Sequence, residues 1–199
     1  MLALASAPAQ ATGPWAGACT ASKLPVLKNG SFENGVNPPS FDLRTLQATR
    51  TTPNADIASW LVRPAFNNAK GSLDWNQRFQ ASDGERTVDL NGLSSTGAIE
   101  QAIQNLVAGK IDLLAFDLAG NPEGPPTVKR LRVDIDGSRY YYEFDTTGQS
   151  TTDMGYVTKY IAFKHTGHSP VLRFTALEPN VDTSSYGAFI DNVKIACVS

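Results

Sequence analysis

The sequence predicts an all-β fold, a two-sheet sandwich, and three observations carry that expectation. Several segments alternate apolar and polar residues at period two, as strands with one buried face do. Sixteen glycines and twelve prolines, with many Asn, Asp, Ser and Thr, supply turn residues throughout. The candidate strands are short, and a turn signal separates most neighbours, which is the spacing of a sandwich.

In chain order, Asn29-Gly30-Ser31 reads as a turn, although it is also formally a glycosylation sequon. Residues 57–63 form a first strand whose Trp60 belongs in the core, and residues 87–91 form a second. Ile99, Ala102, Ile103, Leu106 and Val107 then recur at helical spacing, with Glu100, Gln101, Gln104 and Asn105 opposite. Periodicity alone makes that stretch a helix of barely three turns between Gly97 and Gly109. Residues 111–118 return to strand character. Residues 128–136 alternate most clearly: Leu131, Val133 and Ile135 point one way, Arg130, Arg132, Asp134 and Asp136 the other. Asp136-Gly137 closes them as a hairpin turn into residues 139–144. Residues 156–163, 171–177 and 189–195 complete the set.

Pro38-Pro39 and residues 120–126 read as rigid loops, not linkers, and no repeat divides the chain. One domain over residues 20–199 is expected, a normal size for an all-β unit. Residues 1–19 are Ala-rich, and Ala9-Gln10-Ala11 has the small-x-small form of a signal-peptide cleavage site, so they are expected to be a partial signal peptide or leader. After them no apolar run is long enough to span a bilayer. A net charge of −2 and a charged fraction of 18% give no electrostatic case for nucleic acid or an anionic membrane. The densest basic group, Lys129, Arg130 and Arg132, is expected on the solvent face of a strand.

Cys19 and Cys197 are the only cysteines. Their separation suits a clasp joining the two ends of the domain, stabilising it by roughly 5 kcal/mol on chain entropy alone. Disulfides persist outside the reducing cytosol, so the pair points to a secreted or periplasmic protein.

Chemistry concentrates near residue 191. Period two places Asp191 on the face of Phe189, Val193 and Ile195, and a carboxylate among apolar residues needs neutralising. A buried Arg, backbone N–H donors, or a Ca²⁺ ion would each do this. Glu33, which follows Phe32 after the first turn, would share such an ion if the clasp brings the chain ends together.

The same residues carry a resemblance. Asn-Gly-Ser-Phe-Glu at 29–33, Ile57 with Trp60, and Phe-Ile-Asp-Asn-Val at 189–193 resemble carbohydrate-binding jelly rolls of the galactose-binding-like superfamily. Residues 81–92, 97–101 and 117–122 resemble the bacterial choice-of-anchor C proteins and the plant cell-wall family called domain of unknown function 642. The similarity covers residues 26–195. It implies a jelly-roll sandwich, a strand at Ile99-Glu100-Gln101 in place of the helix, association with extracellular polysaccharide, and no established catalysis. It also implies a structural Ca²⁺ held through Glu33 and Asp191.

Sugar binding needs aromatic platforms for pyranose faces and polar groups beside them. Trp75, set among polar residues, is the preferred platform. Tyr140 and Tyr142 share a face with Phe144, opposite Tyr141 and Glu143, and either face offers an aromatic stripe. Tyr156 and Asp83 are loop candidates. His165 and His168 flank Gly167 without an acidic or Cys partner nearby and are expected to be exposed loop residues. No Gly-x-Ser-x-Gly, P-loop or dinucleotide fingerprint is present. The expected function is therefore non-catalytic binding of a polysaccharide or cell-wall glycan by a secreted, extracellular monomer. Two alternatives stay open: an adhesion module for a protein partner, and a small glycoside hydrolase or lyase working through a carboxylate pair.

Overall fold

The alternating segments become twelve strands in a computed structural model that describes residues 26–36, 43–48, 51–65, 72–76, 78–92, 95–167, 169–177 and 185–198. They are β1 (Leu43–Gln47), β2 (Leu61–Pro64), β3 (Ser72–Asn76), β4 (Thr87–Asp89), β5 (Asn91–Gly92) and β6 (Ser95–Ala102). The second half of the chain supplies β7 (Ile111–Gly120), β8 (Val128–Ile135), β9 (Ser138–Asp145), β10 (Val157–Lys164), β11 (Val171–Ala176) and β12 (Ala188–Val198). Among the described residues there is no helix.

Two antiparallel sheets face each other in a jelly-roll sandwich. The first runs β1-β3-β4-β12-β7-β10; the second runs β2-β6-β11-β8-β9, with β5 paired to β6. Each strand gives alternate residues to the shared interior. On β8 Leu131, Val133 and Ile135 are buried while Arg130, Arg132 and Asp134 face outward, as alternation requires. A file of aromatic rings joins the sheets: Phe32 to Trp60 at 5.6 Å, Trp60 to Phe174 at 6.2 Å, Phe174 to Phe116 at 5.1 Å, and Phe116 to Tyr142 at 5.4 Å. Trp60 is thus a core residue, its indole Nε1 donating to the Asn29 carbonyl at 2.9 Å.

The helical spacing of Ile99, Ala102 and Ile103 is overridden. β6 lies between β2 and β11, pairing Ile99 with Val62 and Phe174, so the fold takes this segment as a central strand. The strand expected from residue 57 begins only at Leu61, because residues 56–59 form a turn that puts Ile57 in the core. β1 and β3 were not anticipated. Lys129 corrects the expected solvent-facing basic group: it lies on the inward face of β8, 1% exposed, and its Nζ donates to the carbonyls of Gly124 and Tyr186 at 2.7 and 2.9 Å. His165 is likewise buried at 4%, not exposed, and packs near Asp112, whose carboxyl burial pushes up and His165 pulls back. His168, Cys19, Pro38-Pro39 and the leader lie outside the described residues. Cys197 stands in β12 opposite Asp112 of β7.

Candidate functional site

The outer face of the first sheet carries a buried polar layer. Asp191 and Asp117 are cross-strand partners on β12 and β7, and Thr158 on β10 follows in the same row. Asp117 accepts from Thr158 Oγ1 at 2.6 Å, Ser82 Oγ at 2.8 Å and Asn192 Nδ2 at 2.9 Å. Asp191, 0% exposed, accepts the backbone N–H of Ser82 at 2.8 Å and of Asp83 at 3.0 Å on Oδ2, and that of Asn192 at 2.6 Å on Oδ1. Asp89 accepts the N–H groups of Asn91 and Gly187 and the Asn121 amide. What neutralises Asp191 is therefore a set of N–H donors, one of the alternatives its burial required. Burial still raises its carboxyl to about 7, with the three amides and the Ser82 hydroxyl opposing.

The expected face of Asp191 needs correcting. Register slips between Asp191 and Lys194, where two β12 residues stand outside the ladder and Asn192 takes φ +52°. The bulge reverses the alternation, so Ile195 pairs with inward Leu114 while Asp191 pairs with outward Asp117. Asp191 shares its face with Phe189 but not with Val193 and Ile195. It is buried beneath the segment 78–86, which Phe79 pins by stacking on Phe189 at 4.9 Å.

Glu33 reaches the same segment from the other side. Its Oε1 accepts the N–H groups of Glu85 at 2.9 Å and Arg86 at 2.7 Å. Gly84, at φ +76°, lies against it: a Cβ there would stand 2.6 Å from Glu33 Cδ. The structure thus brings Glu33 and Asp191 to one loop, each holding its own pair of amides. Among the described residues no group of three or more His, Cys, Asp or Glu side chains could hold a metal ion. Asp191 Oδ2 and Glu33 Oε1 each accept two N–H groups, so a cation shared by the pair would use Glu33 Oε2 and the remaining lone pair of Asp191 Oδ1.

Of the expected sugar platforms, the preferred one is enclosed and three others are partly buried. Trp75 is 1% exposed; its Nε1 donates to the Phe32 carbonyl at 3.1 Å and the Arg86 guanidinium covers its ring at 4.5 Å. Tyr156 is bonded to Thr87 at 2.7 Å, and burial pushes its phenol far up, with Asp191, Asp89 and Asp117 adding. Tyr140 and Tyr142 lean half-buried on the core. Asp83 stays at the surface, 3.8 Å from Lys194.

Two tyrosines are strongly exposed: Tyr160, at 63%, on β10 at the edge of the first sheet, and Tyr141, on the other side of that hairpin. Tyr141, 64% exposed, stands on the outer face of the second sheet, directly opposite Arg132. The row across the sheet reads Arg63, Ala98, Thr175, Arg132, Tyr141; the next reads Leu61, Glu100, Arg173, Asp134, Arg139. Glu100 takes both Arg63 at 2.6 Å and Arg173 at 3.4 Å; Asp134 takes Arg132 at 2.8 Å and Arg139 at 3.3 Å; Glu143 takes Arg130 at 3.0 Å. Arg173 makes two further bonds, Nη2 to the Pro64 carbonyl at 2.8 Å and Nε to Thr175 at 3.3 Å, and burial lowers it from its ordinary range. Beyond Leu61 and Glu100 the face runs into a pocket of about 300 Å³, also lined by Lys28, Ser59, Gln101 and Gln104. Gln101 fixes that wall by a two-way amide pair with the Lys28 backbone at 2.7 and 2.8 Å. Period two had already put Tyr141 opposite Tyr140 and Tyr142; what it lacked was which side faces the core.

A family model described as a protein of unknown function (DUF642) matches residues 25–196. Halomucin from Haloquadratum walsbyi is 29% identical over 181 residues, which are 90% of this chain but 2% of that protein, so the chain spans a small fraction of that relative. Solved structures are also similar in fold. The CBM22-1 xylan-binding domain from Paenibacillus barcinonensis Xyn10C has 12% identity and a TM-score of 0.47, over 77% of this chain and 94% of that one. CBM35 from Cellvibrio japonicus Abf62 has 17% identity and a TM-score of 0.43, over 63% and 83%.

Proposed function

The chain belongs to the DUF642 family, and from that premise we propose that it is a secreted, non-catalytic polysaccharide-binding module working through the outer face of its second sheet. Tyr141 is the observation that carries the reading. An exposed phenol ring on a rigid strand is a preorganised surface for the apolar face of a pyranose, and the polar side chains beside it suit sugar hydroxyls. A pocket of about 300 Å³ lies at the far end of the same rows, separated from Tyr141 by the buried Ala98 and Thr175, and offers a second polar site. Catalysis by paired carboxylates is disfavoured by the fate of the clustered acids, since Asp89, Asp117 and Asp191 are buried and committed to hydrogen bonds.

Retention on insoluble glycans, compared between wild type and Tyr141→Ala, tests this. The variant should bind roughly tenfold more weakly, the loss of one central aromatic contact. Undiminished retention would remove the platform, and release of reducing ends by the wild type would establish an enzyme instead.

The proposal also includes a Cys19–Cys197 clasp and a structural calcium ion with Glu33 Oε2 among its ligands. Reductant and EDTA should each lower Tm by several degrees. An unchanged Tm removes the corresponding stabiliser.

A further inference from the structure

We propose that the glycan this face takes is anionic, a chain carrying uronate carboxylates; the inference rests on the polysaccharide-binding reading above. The chain as a whole has net charge −2, yet five of its nine arginines, Arg63, Arg130, Arg132, Arg139 and Arg173, gather on one face of one sheet. Four carboxylates share that face: Glu100, Asp134 and Glu143, which pair with the arginines, and Asp145 at the far end of β9. Five arginines against four acids leave the face a small positive excess on a chain that is negative overall.

The shortage is localised. At the Glu100 end it is eased within the protein, because Arg173 places two further donors on Pro64 and Thr175. At the Tyr141 end it is not met. Asp134 alone serves both Arg132 and Arg139, each through its Nε. A guanidinium carries five N–H donors, so among the described residues the Nη groups of both arginines have no protein acceptor. Two guanidiniums sharing one carboxylate are one anion short, and their Nη edges match a second carboxylate bidentately.

Tyr141 fixes where that anion comes from. It sits across from Arg132 and two residues from Arg139 on β9, so both guanidiniums border one ring. Cross-strand neighbours are about 5 Å apart and i, i+2 neighbours about 7 Å. A hexuronate bears its carboxylate directly on a ring carbon, within that radius of the ring's centre. A sugar ring lying on Tyr141 thus presents its acid group to the Arg132–Arg139 pair. A neutral pyranose would stack equally well but leave the pair unanswered.

Affinity electrophoresis of the full chain in four matrices tests this: polygalacturonate, the same polymer fully methyl-esterified, a neutral galactan, and polyglutamate. Retardation by polygalacturonate, lost on esterification and absent with galactan and polyglutamate, is expected. Arg132→Gln and Arg139→Gln should each weaken it about tenfold, and 0.5 M salt should abolish most of it. Arg130→Gln, on the same face but paired with Glu143, should change it less than twofold. Equal retardation by the galactan and the esterified polymer, indifferent to Arg132→Gln, overturns the anionic class and leaves polysaccharide binding standing. Retardation by polyglutamate as strong as by polygalacturonate overturns it as plain charge attraction. No retardation in any glycan matrix defeats both readings. A matched circular dichroism melt of each variant separates lost binding from lost folding.

Discussion

At the scale of single residues the most consequential group is Asp191. Unfolded, its carboxyl ionises near 4; folded, burial holds the proton up to about 7 against the pull of three amides and the Ser82 hydroxyl. Between those values the folded chain keeps a proton that the unfolded chain has released, so this group costs stability as pH rises from about 4 to 7 and costs no more above that. Three units correspond to about 4 kcal/mol, an upper figure. Asp191→Asn cannot titrate. The stability difference between wild type and variant should therefore favour wild type most at pH 4.5 and shrink towards pH 7.5, read as Tm in matched buffers. Parallel pH profiles would show that Asp191 is ionised throughout, as a bound cation would make it. The sequence exposed this residue readily, since an acid between Ile190 and Asn192 in an apolar strand is conspicuous. It did not expose the face, because the bulge at Asn192-Val193 is one extra residue with no hydrophobic signature. Trp75 misled for a related reason. Polar neighbours in sequence say nothing of Arg86 and Phe32, which cover and bond the indole from distant parts of the chain.

At the scale of elements the segment 78–86 behaves as a lid fixed to the first sheet. Phe79 stacks on Phe189, Gln80 bonds Thr151 and Met154, the Ser82 and Asp83 amides go to Asp191, and the Glu85 and Arg86 amides go to Glu33. Phe79 supplies the apolar part of that attachment. Phe79→Ala should cost about 3 kcal/mol and, unlike an ordinary cavity, should expose a charged layer beneath. Hydrogen exchange at the Ser82 and Asp83 amides should accelerate at least tenfold more than at Val88 in adjoining β4. Uniform acceleration across both would mean the segment opens only with the whole fold. Elements were legible where alternation was long: β7 to β12 were found within a few residues of their ends. β1 and β3 were not: in Leu43-Arg44-Thr45-Leu46-Gln47 the leucines are three apart, and Ser72-Leu73-Asp74-Trp75-Asn76 alternates over only two apolar residues. β6 shows the limit of periodicity itself. Its apolar residues satisfy a helix and a central strand equally, and the neighbours β2 and β11, which decide, are remote in sequence.

At the scale of the molecule the proposed function would have the sandwich separate two tasks. Stability devices, the buried acids and their loop, occupy the outside of one sheet; the arginine rows and Tyr141 occupy the outside of the other. Between them lies the aromatic file from Phe32 to Tyr142, a packed interior about 10 Å thick. Substitutions that far apart, with no shared partner, act additively within about 0.5 kcal/mol. Phe79→Ala should lower Tm and leave glycan affinity within about twofold of wild type. Tyr141→Ala should weaken binding and move Tm by no more than about 2 °C, the usual range of a surface change in a chain of this size. The double variant should then show both effects at their single-variant sizes. Tyr142 is the residue through which this would fail. It neighbours Tyr141 on β9, and its ring meets Phe116 of the opposite sheet, so it is the shortest route from the lid's sheet to the binding face. A double variant that binds much more weakly than Tyr141→Ala alone would mean that loosening the first sheet reaches β9 through that contact, and the two faces would have to be treated as one coupled unit.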